Sequence, residues 1–240
     1  MASPLEQFEI HTLKPIDLGG INASFTNSSL YMAIAVVAVT AFLVLGMRRA
    51  AVVPGRWQSM AELMYEFIAG MIRDNAGHGA KAYFPFVFTL FMFILFANLI
   101  GLIPGSFAVT SHIVVTFALA AVVFLGVTLI AIAKHGVKFF TYFLPPDTPL
   151  YMAPLLVPIE VISYLARPVT LALRLFANMM AGHTMLHVFA GFVVLLGLFG
   201  IAPLAVIVAL YVLELLVALL QAYVFAILTC LYLHDALHLH

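Results

Sequence analysis

The chain has 240 residues, of which 65% are hydrophobic and 8% charged, and its mean hydropathy is +1.17. A soluble domain carries about 25% charged residues, so this composition excludes a water-soluble globular protein and indicates an all-α integral membrane protein. The formal net charge of 0 excludes the broad basic surface that nucleic acid requires, and the single cysteine, Cys230, excludes intramolecular disulfides and cysteine-ligated metal centres.

Residues 1–29 contain Glu6, Glu9, Lys14 and Asp17, with no basic segment leading into an apolar run. They read as an outer polar tail rather than a cleavable signal peptide. The charge-free stretch 30–47 then closes on Arg48 and Arg49 and is long enough for a first membrane helix. Residues 57–75 are patterned differently. Trp57, Met60, Leu63, Met64, Phe67, Ile68, Met71 and Ile72 recur at helical spacing, with Gln58, Ser59, Glu62 and Glu66 on the other face. This predicts an amphipathic helix on the cytoplasmic surface, serving as an interfacial anchor or as a docking site for a partner protein.

Residues 83–133 contain no Asp, Glu, Lys or Arg and are interrupted by Gly101-Leu-Ile-Pro104-Gly105-Ser106. That turn signal divides them into two membrane helices, 83–103 and 111–134. A last hairpin follows at 153–196 and 203–233, split by Gly197, Gly200 and Pro203. Five membrane helices result. At about 1.5 Å per residue the last two reach roughly 66 and 46 Å, against a hydrocarbon core about 30 Å thick. They must be broken at Pro154, Pro158 or Pro168, or run steeply tilted. With the N-terminus outside and the C-terminus in the cytoplasm, eight of the ten basic residues lie on the cytoplasmic side: Arg48, Arg49, Arg56, Arg73, Lys81, Lys134, Lys138 and Arg167. The positive-inside rule favours that orientation.

Arg174 is the only Asp, Glu, Lys or Arg between Pro168 and Leu213. A guanidinium does not lose its proton in a protein. Holding it at a bilayer centre costs on the order of 2.5–3.5 kcal/mol on insertion scales, so it marks a functional position. At 100° per residue, Glu160, Ser163, Arg167, Thr170, Arg174 and Asn178 fall within about 40° of one direction, forming a single polar stripe on an apolar rod. The final helix contributes Glu214 and Gln221 on one face. His183 shares a face with His187 and points about 180° from Arg174, so titratable groups occupy two sides of one helix. A histidine near a glutamate makes a natural proton relay. Asn98 either caps a helix end or lines a wet path, and His112 reads as interfacial. His234, Asp235, His238 and His240 have the composition of metal ligands but lie in a tail, and no metal site is expected there.

The run Arg167-Pro-Val-Thr-Leu-Ala-Leu-Arg174-Leu-Phe-Ala-Asn178-Met-Met-Ala-Gly182-His183 resembles the signature of subunit a of F-type ATP synthases. Leu220-Gln221-Ala222-Tyr223-Val224-Phe225 resembles the last-helix motif of that family. Pro85 and Asn98-Leu-Ile-Gly-Leu-Ile-Pro104 fit its earlier hairpin, so the resemblance spans essentially the whole chain. It implies that Arg174 is a stator charge facing a rotating ring of subunit c, with Gln221 and Asn178 beside it. Glu214 and His183 match the outer proton half-channel, in the swapped arrangement of mitochondrial and related bacterial forms. Glu160 and Ser163 match the inner half-channel, Thr170 takes a small hydroxyl position, and Asn98 joins the proton-path set. The expected partners are the subunit c ring, the peripheral-stalk subunit b and membrane lipid, with protons as the transported ion. No cofactor, metal or covalent catalysis is implied. The location implied is the bacterial inner membrane, or alternatively the mitochondrial inner membrane.

Two rival readings leave other traces. A secondary transporter using Arg174 to bind an anion should show two similar halves with broken segments, and no internal repeat is visible. A haem-binding cytochrome using His183 and His187 would require axial ligands four residues apart on one helix, which is sterically poor.

Overall fold

The computed structural model describes residues 10–15, 17–18, 21–22, 24–48, 51–136, 139 and 152–237. Arg49, Lys138, Glu6, Glu9, His238 and His240 lie outside the described residues. Within them are six α-helices: α1 (Asn27–Met47), α2 (Arg56–Ala76), α3 (Phe84–Gly101), α4 (Ile113–His135), α5 (Ala153–Leu196) and α6 (Ile201–Leu237). All except α2 are long and apolar enough to cross a membrane.

The segment before α1 is not featureless. Two short antiparallel ladders pair Thr12–Lys14 with Phe25–Thr26 and Asp17–Leu18 with Ile21–Asn22. Strands of two or three residues are too short to show a hydrophobic period in sequence. The chain enters α1 earlier than residue 30 because Thr26 acts as N-cap, its hydroxyl accepting from the Ser29 amide at 3.4 Å.

The apolar face of α2 is divided between two environments. Ile68, Met71 and Ile72 are buried against the bundle, whereas Trp57, Met60, Leu63 and Phe67 stay exposed as an anchor would. Gln58 departs from its expected place on the polar face. It is buried, and its side-chain amide pairs with the Ala51 backbone through Nε2 to the carbonyl at 3.0 Å and through Oε1 to the N–H at 3.1 Å. That double bond closes the loop between α1 and α2, where the backbone has no helical partner. Gly77, at φ 79°, ends α2 in a conformation that L side chains rarely adopt.

Helix α3 is the central post. Half of its most apolar stretch is buried, against at most 22% in the other four membrane-length helices. It packs on α6 and α1, with α2 also against it. Its hairpin with α4 turns at Gly105, φ +84°, and Ala108 approaches Gly101 so closely that a Cβ there would sit 3.3 Å from the Ala108 Cα.

Helices α5 and α6 form the long hairpin. Pro158 and Pro168 lie inside α5 without ending it, so the helix is continuous over 44 residues, and α6 runs on to Leu237 for 37. At about 1.5 Å per residue these are roughly 66 and 55 Å long, and a bilayer accommodates them only at a steep inclination. The turn between them takes Gly197 at φ +53°, and a Cβ on Gly200 would meet the Val193 carbonyl oxygen at 2.7 Å. Pro203 sits in the first turn of α6, where its missing N–H costs no helical bond.

Candidate functional site

Antiparallel α5 and α6 bring pairs of polar residues opposite one another across the glycine turn. His183 meets Glu214, Asn178 meets Gln221, and Arg167 meets Asp235. Because both helices rise equally per residue, reflection through the turn at 197–200 predicts this register. Leu171, Leu175, Met179 and His183 form the buried edge of α5, at i, i+4 spacing.

The inner pair is His183 Nε2 and Glu214 Oε1, 3.6 Å apart, with side chains 11% and 5% exposed. Neither Glu214 oxygen has a hydrogen-bond partner among the described residues. Leaving a buried carboxyl without such partners is costly and rarely tolerated without a role. Gly182 creates the space it occupies. A Cβ at 182 would stand 2.6 Å from Glu214 Oε1 and 2.9 Å from Cδ. A cavity of about 240 Å³ runs from the turn formed by Gly101–Ser106 to His183, His187 and Tyr211. His183 therefore stands between this cavity and Glu214. Tyr211 fixes the cavity wall by donating to the Leu102 carbonyl at 2.7 Å.

One turn and more toward the helix start, Asn178 Nδ2 donates to Gln221 Oε1 at 2.8 Å. The Gln221 Nε2 group is buried and has no hydrogen-bond partner among the described residues. Arg174, one turn further, is exposed on the face of α5 away from His183, and no hydrogen bond or ion pair reaches it among the described residues. Ser163 and Thr170 are also exposed on this face, and Glu160 is half-buried, about 21 Å along the axis from Arg174. The Thr170 hydroxyl turns back to donate to the Ala166 and Arg167 carbonyls at 3.0 Å each, next to the backbone disturbance of Pro168.

Asn98 is fully buried and engaged on both sides of its amide. Nδ2 donates to the Ala218 carbonyl at 3.2 Å, and Oδ1 accepts from the Thr110 hydroxyl at 2.9 Å. This geometry is a bracket between α3 and α6, one turn from Glu214, rather than a helix cap or an open wall. His112 N-caps α4 and stacks on Phe107 at 4.8 Å, where burial holds its imidazole below the ordinary histidine range. Sequence patterning singled out neither Gly182, Thr110 nor Tyr211, and weighed Asp235 only as a tail residue with the composition of a metal ligand. Gly182, Tyr211 and Asp235 were findable by folding the hairpin at its glycines and reading across. Thr110 carried no periodic signal.

The family profile described as ATP synthase A chain matches residues 29–234. This chain belongs to that family. The ATP synthase subunit a of Parvibaculum lavamentivorans is 60% identical over 98% of this chain and 93% of its own length. Those of Paramagnetospirillum magneticum and Rhodospirillum rubrum are 55% and 52% identical, each over 100% of both chains. The matched residues reach into every membrane-length helix and include the Arg174 and Glu214 positions.

Proposed function

We propose that this chain is the proton-translocating stator subunit of a rotary F-type ATP synthase in a bacterial inner membrane, with its N-terminus outside and its C-terminus in the cytoplasm. Its partners are a rotating ring of subunit c, each copy bearing a carboxyl, and the peripheral-stalk subunit b. The chain itself performs no covalent chemistry. The observation that carries this reading is the division of α5 into two faces: an exposed cation with no hydrogen bond or ion pair among the described residues on one, and a buried His–Glu pair beside a cavity on the other.

Protons enter the 240 Å³ cavity from the outer turn and reach His183 first and Glu214 second, because His183 lines the cavity and Glu214 lies behind it. They neutralise a ring carboxylate, which then faces lipid without the desolvation penalty of a charge. After nearly a full turn the carboxyl arrives at the Glu160 and Ser163 side and releases its proton. Arg174 separates the two paths. Its permanent charge favours the ionised carboxylate beside it and opposes a direct proton leak. Asn178 and Gln221 flank it as hydrogen-bonding groups, and Thr170 is a small neighbour that leaves the arginine face open. Asn98 supports the pair from behind by fixing α6 against α3. The membrane potential supplies about 2.3 kcal/mol per charge per 100 mV.

Arg174→Ala in the assembled complex is expected to abolish ATP-driven proton pumping while the complex still forms. Pumping at the parent rate overturns the reading.

A further inference from the structure

The polar stripe of α5 carries two arginines, Arg167 and Arg174, two helical turns and about 10.5 Å apart. Their surroundings differ. Arg174 is exposed, with no ion pair or hydrogen bond among the described residues. Arg167 Nη1 lies 3.1 Å from Asp235 Oδ2, with the side chains 23% and 37% exposed. Its guanidinium is also set between two rings, 5.3 Å from the centroid of Tyr164 and 5.1 Å from that of Tyr232. The cavity beside this cluster holds about 10 Å³, the minimum for one water. Among the described residues, protein groups rather than a water-filled space border this cation on the cavity side.

Asp235 is held in place from the other side. The last turn of α6 is tied to the end of α4, with Lys134 Nζ donating to the Leu237 carbonyl at 2.9 Å and His135 Nε2 donating to the Ala236 carbonyl at 3.1 Å. Three helices thus converge to bring one carboxylate onto one guanidinium.

We propose that Asp235 masks the charge of Arg167, so that Arg174 alone presents an unneutralised cation on the ring-facing stripe. The proposal rests on the reading of Arg174 as the stator charge. A carboxylate moving past the stripe is attracted to any exposed cation within a few ångströms. An unmasked Arg167 lies on the path toward Glu160 and Ser163, where the ring carboxyl must release its proton and depart. It would hold the carboxylate there as Arg174 does, and slow the ring. The tyrosine rings add the attraction of their faces to the cation and limit its swing toward the ring. Asp235 is in these terms a positioning residue: it acts through Arg167 and touches no proton.

The test uses the whole complex in membrane vesicles. Asp235→Asn keeps size and hydrogen bonding but removes the masking charge. It is expected to lower the rate of ATP-driven proton pumping by roughly threefold to tenfold, the scale of one partly exposed charge interaction. The double variant Arg167→Gln with Asp235→Asn removes the cation as well, and is expected to restore the rate to within about twofold of the parent. A purely structural ion pair predicts the opposite, because the double variant has lost the pair entirely. Parent-like pumping by Asp235→Asn, or a double variant as slow as Asp235→Asn, overturns the proposal. Arg174→Ala is measured beside them, and normal pumping by that variant overturns the underlying reading whatever the variants at 235 do.

Discussion

At the scale of single residues, the close approach of Gly182 to Glu214 decides what carboxyl geometry the site accepts. The space on the α5 side is the volume of one missing methyl group, and the Glu214 carboxyl fills it. Gly182→Ala is expected to displace that carboxyl from His183 and to slow passive proton conduction roughly tenfold, the effect of about 1.4 kcal/mol on a barrier. Gly182→Val should do more, and conduction at the parent rate in Gly182→Val would show that Glu214 does not need this space. The residues whose cost is intrinsic were legible in the sequence. A permanent cation and a lone carboxyl in apolar helices are expensive wherever the helix lies, so Arg174 and Glu214 stand out without any structure. Gly182 carries no such cost. Its meaning arises only when a second helix arrives opposite, and the same holds for Asp235, whose partner is 68 positions away.

The elements repeat this contrast between local and distant causes. The membrane-length helices follow from runs of apolar residues bounded by charge or glycine, and their ends fall within a few residues of those expected. The ends that moved were set by caps and contacts: Thr26 starts α1 early, and ties to Lys134 and His135 keep α6 helical to Leu237. Prolines 158 and 168 did not break α5. Pro168 is buried against neighbouring elements, where packing offsets the lost helical bond. Between elements, the Asn98 amide ties α3 to α6 through the Ala218 carbonyl, beside the Tyr211 bond to the Leu102 carbonyl at the end of α3. Asn98→Ala removes both of its side-chain hydrogen bonds and leaves the buried Thr110 hydroxyl without this acceptor, while the Ala218 carbonyl keeps its place in the α6 ladder. It is expected to cost about 1–2 kcal/mol, read as a lower unfolding temperature of the complex in detergent. An unchanged unfolding temperature would show that the Asn98 bonds contribute nothing to holding α3 against α6.

For the whole molecule, the division into a lipid-like exterior and a narrow polar interior explains why so much apolar surface remains exposed. Val36, Val37, Val44 and Leu45 on α1, and Leu213 and Leu216 on α6, are each more than half exposed. That is the expected exterior of a chain surrounded by lipid or by other apolar helices. In the proposed function, the route inward is the cavity that runs from the 101–106 turn to His183. Ala190 lines it, and Ala190→Trp is expected to fill it and lower proton entry from the outer side while leaving assembly intact. Undiminished proton entry in that variant would mean that protons take another path. No periodicity in the sequence revealed this cavity, because it is bounded by the 101–106 turn, α5 and α6 together.

The bracket at Asn98 also has a consequence for the order in which the chain is made. Its two hydrogen bonds reach across very different separations, 12 positions to Thr110 and 120 to Ala218. If the helices enter the bilayer in chain order, α3 arrives there before α6 with an amide that lipid cannot satisfy. The carbonyl of that amide finds its partner as soon as the α3–α4 hairpin closes. Once the α3–α4 hairpin has closed, only the Asn98 NH₂ group still lacks a partner, and α6 supplies it through the Ala218 carbonyl.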